Sequence, residues 1–192
     1  MPKSFQQKLK ILYLMRVFAE KTDEAHPMSV KDLIAYLENF GIHAERKTIY
    51  DDIETLRVFG MDIMNRRERP SGFYLASREF EVAELKLLVD AVQSSRFLTT
   101  GKSRQLIQKL ESLTSIYQAK DLQRQVIVQN RVKNTNENIY YNIDEIHRAI
   151  SQNRQISFQY TEWTVSKEKH LKKGGARYQI SPWQMIWQDG NY

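Results

Sequence analysis

Four side chains in one short stretch have the chemistry to grip and read a polyanion. In Glu45-Arg46-Lys47-Thr48-Ile49-Tyr50-Asp51-Asp52-Ile53-Glu54-Thr55-Leu56, the residues Arg46, Lys47, Thr48 and Tyr50 supply two cations, two hydroxyl groups and an amphipathic ring. Guanidinium and ammonium groups bind phosphate oxygens, an Arg fork also fits the edge of guanine, and hydroxyl or methyl groups add polar and thymine-methyl contacts. Ile49, Ile53 and Leu56 recur at i, i+4 and i+7, the buried stripe of a helix. The four donors then face outward or lie near the helix N-terminus. A second basic group, Arg66, Arg67 and Arg69, precedes Pro70-Ser71-Gly72 and lies between two short apolar segments, residues 61–64 and 73–75. That order predicts a β-hairpin with a cationic tip, able to reach a phosphate backbone or a minor groove. Taken alone, each cluster is equally well read as an ordinary solvated face.

The elements that must position these groups follow from periodicity. Residues 4–21 predict a helix with Leu9, Leu12, Tyr13 and Val17 on one stripe; Ile11, Leu14, Met15 and Phe18 widen it, so the helix packs on more than one side. His26-Pro27-Met28 breaks the pattern. Ser29 with Asp32 three residues on predicts a capping box with Asp in place of the usual Glu or Gln. A second helix over residues 30–40 uses Val30, Leu33, Ile34 and Leu37, and Gly41 closes it as a left-handed cap. With the basic helix after it and the hairpin beyond, residues 1–76 predict a winged helix-turn-helix, with the hairpin as its wing.

Residues 77–139 predict a helical segment. Val82, Leu85, Val89 and Val92 form one stripe and Leu106, Ile107, Leu110, Leu113 and Tyr117 another, separated by Thr99-Thr100-Gly101. Residues 125–128 are a candidate strand and 130–138 a polar loop. From residue 140 onward Asn142 with Glu145 opens a short helix carrying Ile143, Ile146 and Ile150 on one face. The period then changes to two: Ile156, Phe158 and Tyr160 alternate with polar residues, and Trp183, Met185 and Trp187 do the same before the Asp189-Gly190 hairpin signal. The expected fold class is α+β.

A chain of 192 residues can bury a sizeable core. It has no cysteine, which removes disulfides, thiolate zinc sites and a Cys nucleophile at once, and a cytoplasmic location is expected. No run approaches a membrane span, and the first residues lack a signal-peptide core. The net charge of +6 suits a polyanionic partner, although the excess is diffuse and only the Arg46 and Arg66 regions concentrate it. His26, His43, His147 and His170 lie far apart, and no phosphate-cradling glycine motif is present. Asp51 and Asp52 are adjacent, but consecutive helical residues point about 100° apart and do not share a proton readily. No enzymatic activity and no cofactor are expected. Gly174-Gly175 between basic residues reads as a turning loop.

The stretch from Glu45 to Leu56 resembles bacterial winged-helix transcriptional regulators that carry a WYL effector domain. The resemblance continues at Glu84-Leu85-Lys86-Leu87-Leu88-Val89-Asp90-Ala91-Val92, at Tyr178-Gln179-Ile180-Ser181-Pro182-Trp183 and at Trp187-Gln188-Asp189-Gly190-Asn191-Tyr192, in the family's order along nearly the whole chain. It implies an N-terminal domain that binds promoter DNA, a helical linker or dimerisation segment, and, over 140–192, an Sm-like or SH3-like small β-barrel that senses a small-molecule or nucleotide effector. Tyr192 stands at the first position of the Trp-Tyr-Leu motif, so the resemblance implies a barrel that is incomplete here and leaves its ligand-binding residues unknown. Where relatives often carry a basic residue this chain has Asp51, which is left out of the predicted contacts; Asp52 is expected to make a structural hydrogen bond or ion pair.

Together these features predict a sequence-specific double-stranded DNA-binding regulator using Arg46, Lys47, Thr48, Tyr50, Arg66, Arg67 and Arg69. It is expected to act as a homodimer, with the stripe from Val82 to Val92 as interface or as internal packing. The alternative is a module for single-stranded nucleic acid or protein that uses Phe158, Tyr160, Trp163, Trp183 and Trp187, although alternation predicts that most of these face a core.

Overall fold

The computed structural model describes residues 3–122 and 133–192 as a mixture of helices and small antiparallel sheets. Two compact units divide the chain: Met1–Gln93 with Arg104–Gln129, and Ser94–Ser103 with Asn130–Tyr192. The candidate strand at 125–128 lies outside the described residues.

In the first unit, α1 (Lys3–Lys21), α2 (Val30–Glu38) and α3 (Arg46–Phe59) pack on one another. Leu14, Val17 and Phe18 from α1 meet Leu33 and Leu37 from α2 and Ile49, Ile53 and Leu56 from α3. The wide stripe of α1 is explained by this: Leu14, Val17 and Phe18 are fully buried, Ile11 and Met15 pack at the rim, and Leu12 is exposed. Burying eight such side chains supplies the main drive for the unit, at about 1.5–3 kcal/mol each before conformational entropy is subtracted.

Each helix stop has a local cause. The capping box forms as expected, with Ser29 Oγ accepting from the Asp32 N–H and Asp32 Oδ2 accepting from the Ser29 N–H at 3.1 Å. Gly41, at φ +69°, ends α2: its N–H bonds the Glu38 carbonyl, and the Ile42 N–H reaches back to Leu37. Gly60, at φ +112°, repeats the arrangement at the end of α3 through Arg57 and Leu56. Both are Schellman closures, which a left-handed residue makes possible. Lys10 reaches Asp52 at 2.7 Å with both side chains largely covered, the structural ion pair expected of Asp52.

Strands β1 (Ile63–Arg66) and β2 (Gly72–Leu75) form the hairpin, with Ile63 opposite Leu75 and Arg66 opposite Gly72. Met28, in the α1–α2 connector, pairs with Phe73 through two hydrogen bonds of 2.9 and 2.8 Å. Gly72 is required at this approach, since a Cβ there would sit 2.5 Å from the Met28 carbonyl carbon and oxygen. Arg57 ties the hairpin to α3 by donating to the Ile63 carbonyl at 2.8 Å. At the far end, Thr22 Oγ1 donates to the Phe18 carbonyl and accepts from the Leu75 N–H, while Arg78 binds the Ala19, Thr22 and Leu75 carbonyls. A cation on the last carbonyls of α1 also complements the helix dipole.

Beyond the hairpin come α4 (Val82–Ser94), α5 (Thr100–Glu111) and α6 (Ile116–Leu122). The second stripe therefore does not run through one helix. Ser112 to Ser115 interrupt it, and Ser115 starts a new helix by accepting from the Gln118 N–H, which places Tyr117 on a separate element. Leu85 and Val89 of the α4 stripe are buried within the chain, while Val82 and Val92 are half-buried.

In the second unit, α7 spans Ile139–Ser151. It begins a turn earlier than expected, with Asn138 rather than Asn142 before its first residue, because paired Asn turns at 134–138 deliver the chain to that point. β3 (Ile156–Gln159) pairs with β6 (Arg177–Ile180), and β4 (Thr161–Trp163) with β5 (Lys169–Leu171). The turn between β4 and β5 places Lys167 at φ +61°, and a 3-10 turn over Lys172–Gly175 follows. Residues 183–187 are not a strand, since no partner segment lies beside them among the described residues. The Asp189-Gly190 turn does form, with positive φ at both positions and Gln188 bonded to Asn191 in both directions. Among the described residues, no helix is long and apolar enough to cross a membrane.

Candidate nucleic-acid interface

The hairpin and the starts of α2 and α3 enclose a groove of about 510 Å³ on the first unit. Lys31, Arg46, Arg66 and Arg67 line it together with Tyr50 and Asn65, and no acidic residue does. Four cations around one concavity with no carboxylate among them make a strongly positive surface, least screened where side chains lie within the roughly 8 Å Debye length of physiological salt.

Packing fixes the groups on α3. Ile49 and Ile53 face the core, which turns Arg46 and Tyr50 to the groove side one helical turn apart. Arg46 Nη2 donates to the Tyr50 hydroxyl at 3.2 Å and its guanidinium lies over the ring, 5.8 Å from the centroid. The Tyr50 ring meets Phe73 of β2 edge to face at 5.9 Å. Arg46 is thus presented on an aromatic stack that runs from α3 into the hairpin. Glu45, which precedes α3, provides no side-chain cap, so the first-turn amides keep their affinity for negative charge.

The remaining expected contacts divide. Lys47 is exposed on the first turn of α3, outside the groove lining. Thr48 is half-buried, and its hydroxyl donates to the Glu45 carbonyl at 2.8 Å, so its methyl and its lone pairs are what it has left to offer. Arg66 lines the groove while one Nη donates to the Glu24 carbonyl at 2.8 Å. Arg67 lines the groove and is exposed; Arg69 is exposed beyond it, before a cis peptide bond to Pro70. Lys31 is a groove residue that sequence reasoning missed. Its position in the first turn of α2 was legible, but its place opposite the hairpin depends on the Met28–Phe73 bridge.

Next to the groove is a buried carboxylate. Asp23 accepts from the Ala25 and His26 amides, from His26 Nδ1 at 2.7 Å and from Ser115 Oγ at 2.5 Å. Burial works to raise its pKa, but the hydrogen bonds from Ser115 and His26 and the charge of His26 outweigh it and hold the carboxyl below its ordinary value.

On the second unit, Tyr160, Trp163, Trp183 and Trp187 are exposed, contrary to the expectation that most would face a core. The sheets there are two-stranded, and no second layer covers those faces among the described residues. Lysines lie over three rings: Lys172 over Tyr160, Lys169 over Trp163 and Lys173 over Tyr178, at 5.4–5.6 Å.

Comparison of the chain with protein-family models, curated proteins and solved structures finds no match in any of the three.

Proposed function

We propose that this chain is a sequence-specific double-stranded DNA-binding transcriptional regulator whose first unit is a winged helix-turn-helix. The observation that carries the reading is the acid-free groove bordered by α3 and the hairpin, in which Arg46, Tyr50, Arg66 and Arg67 converge with Lys31. In this reading α3 enters the major groove with Arg46 and Tyr50 toward base edges, Lys47 and Lys31 contact phosphates, and Arg66, Arg67 and Arg69 follow the adjacent backbone. The second unit then belongs to a WYL-type effector domain responding to a small-molecule or nucleotide ligand, and the active form is a homodimer in the cytoplasm.

Fluorescence anisotropy against the duplex upstream of the chain's own coding region, a scrambled duplex and the matching single strand tests this across a salt series. Tight, sequence-dependent duplex binding whose logarithm falls with log salt by about 0.9 per phosphate contacted supports the regulator. Equal, weak binding to all three rejects it. A second reading is favoured by the lysine-covered, exposed rings of the second unit: a single-stranded nucleic-acid or protein interaction module, in which bases stack on Tyr160 and Trp163. Preference for the single strand in the same titration, lost in Tyr160→Ala, selects that reading.

A further inference from the structure

The turn from Asp23 to His26 is gripped from two sides. On one side Ser115 Oγ donates to Asp23 Oδ2 at 2.5 Å, and the Tyr117 ring of α6 lies flat on the His26 imidazole, 3.7 Å between centroids and 8° from parallel. The turn is itself closed by the Asp23 carboxylate, which takes the Ala25 and His26 amides and His26 Nδ1. On the other side the Glu24 carbonyl accepts from Arg66 at 2.8 Å, and Arg66 lines the basic groove. A continuous run of contacts therefore joins α6 to one cation of the groove, through a turn closed by the hydrogen bonds of Asp23.

We propose that Ser115 and Tyr117 are positioning residues for Arg66, setting the strength with which the groove binds a polyanion; the inference rests on the nucleic-acid reading of that groove. The Arg66 bond to Glu24 engages one of five guanidinium N–H groups and leaves the others for a phosphate. An arginine held in place before binding gives up less rotamer freedom when it engages its partner, and the ordering of one such side chain alters affinity roughly threefold to tenfold. If α6 shifts, the turn loses Ser115 and the Tyr117 stack, the Glu24 carbonyl is no longer fixed, and Arg66 becomes a mobile surface side chain.

The test uses the full chain, with Ser115→Ala and Tyr117→Leu each made alone and in an Arg66→Ala background, read by duplex anisotropy and by the Arg66 Nε–Hε resonance. The expected result is a loss of roughly threefold to tenfold from either substitution when Arg66 is present, none when it is absent, and a displaced Arg66 resonance. Equal losses in both backgrounds, as from general damage to the fold, overturn the proposal, as does an unmoved resonance. If the unaltered chain binds no duplex, the nucleic-acid reading falls, and the resonance alone decides whether α6 positions Arg66.

Discussion

Arg46 and Lys47 are neighbours in sequence with different surroundings, and that difference predicts different phenotypes. Arg46 is presented on the Tyr50–Phe73 stack inside the groove, and Arg46→Ala is expected to lower duplex affinity by about 1–3 kcal/mol while relaxing preference at one base position. Lys47, exposed on the first turn, is expected to lose affinity equally for every duplex and to reduce the salt slope by about 1 when changed to Ala. Anisotropy against a panel of single-base operator variants separates the two; a loss in Arg46→Ala that is identical for all duplexes would make it a phosphate contact. Gly72→Ala acts differently, through the Cβ that would press on the Met28 backbone. A decrease in stability of about 1–3 kcal/mol is expected, seen as a lower urea midpoint with little change in slope, and an unchanged midpoint would show that the seam gives way easily. At this scale sequence located the donors because donor chemistry is a property of residue type. It missed Lys31 because what places that side chain in the groove is a bridge between distant segments.

Helices and hairpins were legible wherever one local signal decided them. The capping box at Ser29, the left-handed Gly41 and the positive-φ pair Asp189-Gly190 each require only a few consecutive residues, and each forms. Ser115 was hidden because it sits inside an apolar stripe, where spacing alone argues for a continuous helix. The β4–β5 hairpin was not foreseen because its left-handed position holds Lys167 rather than Gly or Asn, and its strands have only three residues each. Residues 183–187 show the opposite failure: alternation marks a face, but a strand also needs a neighbour. The turn that connects α1 to α2 predicts a pH effect. The Asp23 carboxyl is held below its ordinary value, so its stabilising contribution is fully present above the unfolded value near 3.9 and is lost as pH falls through the folded one. Urea midpoints measured from neutral pH into the acid range should fall for the unaltered chain and fall less steeply for Asp23→Asn; parallel curves would show that other carboxylates govern the acid limb.

For the whole molecule, charge sets how a partner is approached and symmetry sets how much of it is read. One recognition helix spans only a few base pairs, so under the proposed function specificity would be gained by doubling the site. Light scattering at micromolar concentration is expected to give twice the 22.8 kDa chain mass, and a monomeric mass there would remove the dimer from the proposal. Since Leu85 and Val89 are already buried, substitutions there should lower stability before they alter association. The Met28–Phe73 bridge, finally, bears on the order in which the chain assembles. Its two residues are separated in sequence by the whole of α2 and α3, so forming it closes a long loop whose entropy opposes early pairing. Contacts of this sequence separation are expected to form late, so weakening the seam is expected to speed unfolding more than it slows refolding. One wall of the cationic groove is therefore expected to be completed late in assembly, after the helices it faces have formed.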